Sequence, residues 1–190
     1  MGHSQADKAQ SHDRILAVAA RQIREQGFDA VSVADLMRQA GLTHGGFYGH
    51  FASRDKLIAE AMEWALAAGE RRSAKAARRA GKRSLKTMIK AYLSQAHRDA
   101  PGSGCAIASL AGELGHAGPD VRDILTKYLR RSFEGIAREL GDNGDGWQRA
   151  LSTMSTMVGA LALARAVSDR QLSDEILEAA RRALIPLTPD

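Results

Sequence analysis

The sequence predicts an all-α fold in two parts: a small N-terminal three-helix unit, then a larger helical bundle, about nine helices in all. Three observations carry this. Apolar residues recur every three to four positions through each long segment of the 190-residue chain. Alanine is abundant and only 5% of residues are aromatic, within a hydrophobic content of 44%, a composition that favours closely approaching helices because alanine is the best helix former. Residues 32–54 read as two short helices meeting across a tight turn.

In chain order, residues 1–10 are polar without period and read as a disordered arm. Ser11 and Asp13 then start a helix whose stripe is Ile15, Leu16, Val18, Ala19, Ala20 and Ile23, and Gly27 ends it. Ser32 and Asp35 form a capping box for a helix to residue 40. Gly41 supplies the left-handed residue that stops it, Leu42 is an apolar anchor, and Thr43 is an N-cap for the next helix. Phe47 and Phe51 lie four apart and point inward, towards Val33, Leu36 and Met37, which leaves His44 and Tyr48 on the outer face. Gly45 and Gly46 each cost a helix about 1 kcal/mol against alanine. Their use is clearance for a close approach by phosphate or base edges. Two helices about such a turn make a helix-turn-helix, whose second member enters the DNA major groove.

Ser53 caps a long connecting helix that continues past Gly69 to about residue 80, with Leu57, Ile58, Ala61, Met62, Ala65 and Leu66 on its apolar side. A break at Gly81 precedes a helix bearing Leu85, Met88, Ile89, Tyr92 and Leu93, and residues 100–104 are a proline–glycine loop. A buried helix is expected over 105–115, and Pro119 with Asp120 opens an amphipathic helix to residue 140. After a turn-rich break at 141–146, helices are expected over 147–168 and 173–184, the last capped by Ser173, Asp174 and Glu175 and stopped before Pro186. The helix from Trp147 is apolar around most of its circumference, through Leu151, Met154, Met157, Val158, Leu161, Ala162, Leu163 and Ala164. That implies burial on both sides, more than one further helix of the same chain supplies.

Charge and motifs narrow the function. Nine basic and no acidic residues fall within 71–90, leaving 18 basic against 22 acidic elsewhere, so the net +5 is local. This stripe is either a solvated face or a counter-charge for DNA, an acidic partner or an effector. One cysteine excludes an intramolecular disulfide, and no apolar run reaches the 18 residues of a membrane span, which gives a cytoplasmic expectation without membrane attachment. The six histidines have no metal-ligand spacing, and the glycines of 41–46 lack a following Lys-Ser/Thr, so neither a metal, a phosphate loop nor any cofactor is expected. Cys105 is either ordinary packing or a redox- or electrophile-sensing thiol, and no nucleophile elbow, oxyanion loop or ordered base points to an enzyme.

The segments Val33-Ala34-Asp35-Leu36, Ala40-Gly41-Leu42-Thr43, Phe47-Tyr48, His50-Phe51 and Ser53-Arg54-Asp55-Lys56-Leu57 resemble the DNA-binding domain of TetR-family transcriptional regulators over about residues 11–57. The resemblance implies a reader at 11–56 and an effector-binding and dimerisation domain at 57–190. It places Thr43, Tyr48, His50 and Arg54 at DNA phosphates and His44, Gly45 and Gly46 at the bases, with Ser32 and Lys56 completing the DNA-facing set. The family usually has a bulkier or basic residue somewhere in the Gly45-Gly46 pair, so few side chains remain here to read bases.

The resemblance further implies a homodimer whose last two long helices pair with those of a second subunit, with interface candidates Trp147, Leu151, Val158, Leu161, Ile176 and Leu177. Small residues Gly159, Ala160 and Ala164 would permit close approach. Met62, Met88, Tyr92, Cys105, Tyr128, Met154 and Met157 are candidates to line an effector pocket. The function implied is repression at a palindromic operator, relieved by a small molecule. Alternatives are a ligand-responsive activator of the same architecture and a thiol-reactive protein centred on Cys105.

Overall fold

The computed structural model describes residues 5–79, 84–141 and 144–188. Among them are nine α-helices, four short 3-10 helices and no strand. The first, α1 (Gln5–Gln26), starts six residues before the expected Ser11, because Ala6, Lys8, Ala9 and Gln10 are good helix formers despite lacking an apolar stripe. A short α2 (Val33–Gln39) follows, then a six-residue 3-10 helix (His44–Gly49) where an α-helix was expected. Three glycines in six residues account for that difference. The connecting helix α3 runs over Arg54–Arg79, as its apolar stripe requires, and α4 spans Leu85–Tyr92. The break expected at Gly81, and Lys82 of the basic stripe, lie outside the described residues.

Beyond α5 (Gln95–Arg98), the helix expected over 105–115 shortens to α6 (Ala106–Leu110), followed by a turn and a 3-10 helix at Leu114–His116. Gly112 and Gly115 interrupt what apolar spacing alone would have continued. Pro119 opens α7 (Pro119–Leu140) as the sequence predicts, and α8 covers Gly146–Ala166. The last helix, α9 (Arg170–Leu184), starts three residues earlier than expected. Asp169 is its N-cap, accepting the Gln171 and Leu172 amides at 2.8 and 3.2 Å. Ser173 is therefore interior: its hydroxyl donates to the Ala164 carbonyl at 2.6 Å and tightens the α8–α9 corner.

Two apolar clusters fill the molecule. One joins Ile15, Ala19 and Ile23 of α1 to Leu36, Met37, Phe47 and Phe51, to Leu57, Ile58, Ala61 and Met62 of α3, and to Ile107, Leu110 and Val121 beyond. The other gathers Leu85, Ile89, Ile136, Leu140, Met157, Leu161, Leu177 and Leu184. Cys105, Met154 and Val158 are partly buried against both. A boundary at residue 56 thus falls at the head of a helix whose apolar side belongs to the reader's own core.

The second cluster revises two interface candidates. Leu161 and Leu177 are 0% and 1% exposed within one chain, so they cement α8 to α9 and have no surface for a second subunit. The outward residues are instead Leu163 and Leu172, 59% and 43% exposed. Trp147 is also exposed, with its ring edge-on to Phe133, while Leu151, Val158 and Ile176 are half-buried. Two pocket candidates are core residues as well: Met62 and Met157 are buried.

Candidate nucleic-acid interface

The reader is positioned from beneath. Phe47 and Phe51 are both 2% exposed, with ring centroids 5.7 Å apart, and they anchor the 3-10 segment on the core of α1 and α3. Gly41 takes φ +74°, the left-handed value predicted for it, and the Leu42 amide donates back to the Met37 carbonyl at 2.9 Å, which folds the turn. The capping box at α2 is only half made. Ser32 Oγ accepts the Asp35 amide at 3.4 Å, while the Asp35 carboxylate takes Arg38 at 2.7 Å, and that bond holds it below the usual carboxylate range. Ser32 therefore orients α2 as well as standing near the expected DNA side.

Above this support the outer residues are bare. Thr43, His44, Gly45 and Gly49 are exposed, Tyr48 is 75% exposed, and Gly46 is intermediate. Thr43 occupies the N-cap position without a side-chain bond to the segment, so its hydroxyl remains available to a ligand. Tyr48 stands edge-on to Phe47 at 5.2 Å, which fixes the angle at which its hydroxyl projects. The sequence-predicted Thr43, His44, Gly45 and Tyr48 are thus all exposed, on or directly before the one short segment.

His50, Arg54 and Lys56 are placed differently. His50 is half-buried beside His12 of α1, ring centroids 5.9 Å apart. Its Nδ1 is buried without a partner, and burial, with His12 and Lys8 adding, lowers its pKa. Arg54 donates to the Val31 and Phe28 carbonyls at 3.2 and 2.5 Å, closing the α1–α2 turn, so its guanidinium is spent inside the protein. Lys56 reaches Asp120 at the head of α7 at 2.6 Å. That exposed pair ties the head of α3 to the head of α7. These contacts could not be read locally, since the partners stand 23 to 64 residues away in sequence. His12 was missed for the same reason: it stacks on Phe51 at 4.6 Å and pairs with Glu60 at 3.0 Å, bracing the reader from α1.

Residues 15–61 match the family model described as bacterial regulatory proteins, tetR family. Over those residues the chain is similar to the DNA-binding part of tetR-family regulators. The similarity is to transcriptional regulators with a DNA-binding helix-turn-helix, and the fold is one that such regulators share. An uncharacterized HTH-type transcriptional regulator of Mycobacterium tuberculosis is 26% identical, covering 94% of this chain and 96% of its own. The HTH-type regulator YvdT of Bacillus subtilis is 38% identical over 47 residues, 25% of this chain and 24% of its own. Among solved structures, a TetR transcriptional regulator from Chloroflexus aurantiacus superposes with TM-score 0.80 at 23% identity, over 96% of both chains. E. coli NemR in its reduced form gives 0.76 at 20% identity, over 95% of this chain and 98% of that one.

A second polar constellation surrounds Cys105, where the two cores meet. Arg24 of α1 donates from Nε to the Gly102 carbonyl at 2.8 Å, Arg72 of α3 to Gly104 at 3.3 Å, and Arg165 of α8 to the Arg98 and His97 carbonyls at 3.1 and 2.8 Å. His97 accepts the Cys105 amide on Nε2 at 3.0 Å, so the ring is neutral with its proton on Nδ1, which donates to the Tyr92 carbonyl at 2.7 Å. Burial lowers the His97 pKa and so favours that neutral form. Tyr92 Oη is buried beside the thiol without a well-formed hydrogen bond. Burial, with Cys105 adding, pushes the phenol well above its ordinary range. Of the pocket candidates, Tyr92, Cys105, Tyr128 and Met154 are the ones brought near this junction, and Met88 packs on the second core. None of the described residues forms a group of three or more His, Cys, Asp or Glu side chains that could hold a metal, and no described helix is long and apolar enough to cross a membrane.

Proposed function

We propose that the protein is a homodimeric, cytoplasmic repressor that binds a two-fold operator through the 44–49 segment, helped by Thr43, Tyr48 and His50, and leaves it when a small molecule binds. The observation that carries this is the pairing of a bare outer face (Thr43, His44, Tyr48) with a rigid inner one (Phe47, Phe51) on one short segment. An exposed tyrosine hydroxyl with a fixed ring suits a phosphate contact, which positions the reader without specifying sequence. The test is selection of duplexes from a random pool, followed by titration of Tyr48→Ala. Affinity is expected to fall roughly tenfold for selected and random DNA alike, the scale of one hydrogen bond. Unchanged affinity on both would remove Tyr48 from the interface.

Dimerisation is supported by the outer face of α8 and α9, where Leu163 and Leu172 are exposed and a Cβ at Gly159 would meet nothing within 4 Å. Leu163→Glu is expected to shift the sedimenting species from dimer to monomer. Release by an effector requires a ligand that binds the two arrangements of the readers with different affinity, and the half-buried surface at Tyr92, Tyr128 and Met154 is the place for it. A reporter fusion in a deletion strain decides repressor against activator: expression should rise when the gene is removed.

The buried Tyr92 hydroxyl beside Cys105 favours a second reading of the release step, in which the thiol is the sensing group. A hydroperoxide would transfer its terminal hydroxyl to sulfur, giving the sulfenic acid and expelling alkoxide or hydroxide. The structural neighbour from E. coli was described in a reduced form, which suits the same reading here. DNA release by hydrogen peroxide that persists in Cys105→Ser would discard it.

A further inference from the structure

A fold requires glycine for two reasons that coordinates can test: a left-handed backbone, or a neighbour too close for a Cβ. Both occur in this protein. Gly27 and Gly41 have φ of +87° and +74°, and a Cβ on Gly104 would lie 2.7 Å from Arg165 Nη2 and 3.1 Å from the Ala100 carbonyl oxygen. Neither reason holds for Gly45 or Gly49. Their φ values are not positive, and a Cβ built on either meets nothing within 4 Å. Both are exposed, one following His44 and the other following Tyr48, in a helical segment that alanine would stabilise.

We infer that Gly45 and Gly49 are clearance residues that act on the operator: their missing side chains let the 3-10 backbone settle against the groove, and fit, more than side-chain contacts, selects the sequence. This rests on the DNA-binding reading above and adds to it which positions set specificity. Side chains available to the bases are few on this face, His44 chief among them, so direct readout through paired donors and acceptors is thin. Close backbone approach is sensitive to groove width and to the thymine methyl, and both vary with sequence. Gly46 contributes less: a Cβ there would lie 3.6 Å from Met37 Cε, facing partly inward.

The experiment compares Gly45→Ala, Gly49→Ala and the control Gly135→Ala, a helical glycine of α7 whose nearest neighbour to a built Cβ is Arg138 Nη2 at 4.0 Å. The probe is the duplex that wild-type protein selects from a random pool, with a scrambled duplex of equal length beside it. Gly45→Ala and Gly49→Ala are expected to lose at least about tenfold on the selected duplex, about 1.4 kcal/mol, with less change on the scrambled one. Melting temperatures should equal or exceed the wild type, and Gly135→Ala should bind within about twofold. Binding within about twofold by both reader variants overturns the inference, and so does a lower melting temperature, which would show that the fold needs the glycines. Should wild-type protein select no duplex at all, the DNA-binding reading itself fails, a result distinct from equal binding by wild type and variants.

Discussion

Two glycine-bearing stretches, 44–49 and 102–104, look alike in the sequence and are opposite in the structure. At Gly104 the chain itself forbids a side chain, because Arg165 and the Ala100 carbonyl occupy the space. At Gly45 and Gly49 the chain leaves the space empty. The stretch at 102–104 is an internal joint held by arginines from α1 and α3, with Arg165 of α8 bonded to the carbonyls just before it; the other is a surface. A glycine whose Cβ would meet only solvent reports on what lies outside the molecule.

The largest expected effect is at the joint. Gly104→Ala should destabilise by about 1–3 kcal/mol, as overpacking does, because Arg165 is fixed by carbonyl bonds and cannot withdraw from a new Cβ. A melting curve matching wild type would break the contrast drawn above. Arg24→Met comes next. It removes the donor to Gly102 and leaves that carbonyl unpaired, a loss of about 1–2 kcal/mol, and chemical denaturation measures it.

Gly102→Ala is expected to be milder than Gly104→Ala, though a built Cβ would fall 1.9 Å from Glu25 Oε1. Glu25 is exposed and its carboxylate can swing into solvent. Equal melting losses at the two positions would show that the joint tolerates nothing anywhere.

The smallest effect is one of pH. His97 has a folded pKa below its ordinary 6.5 because burial disfavours the cation, so below that value the unfolded chain binds more protons. Stability then falls as pH drops from 6.5 towards the folded pKa, and His50 contributes in the same direction. His97→Gln should flatten the melting-temperature slope between pH 7 and 5 in part. An unchanged slope would place the titration elsewhere.

Much of this was legible in the chain. Spacing of four separated Phe47 and Phe51 from His44 and Tyr48, and Gly41 announced its left-handed turn. Pro119 marked the head of α7. What spacing cannot give is a partner distant in sequence: Arg54 and Lys56 look like free cations until Phe28, Val31 and Asp120 are brought beside them. The all-apolar α8 failed for another reason. When every face is hydrophobic, period no longer tells the buried side from the outer one, and Leu161, 0% exposed, could not be told from Leu163, 59% exposed. Ser173 misled because Asp169, four residues earlier, caps with a charged oxygen and offers two amides a partner.

Because α3 lends Leu57, Ile58 and Met62 to the same apolar mass as Ile15 and Phe47, the reader has no clean seam along which to be cut. A chimera that grafts residues 1–56 onto another regulator would leave that mass half built, with α1 facing a foreign helix. Transplanting sequence preference is better attempted by exchanging only the exposed residues of the 3-10 segment, His44, Gly45, Tyr48 and Gly49, with Phe47 kept, on an otherwise untouched host.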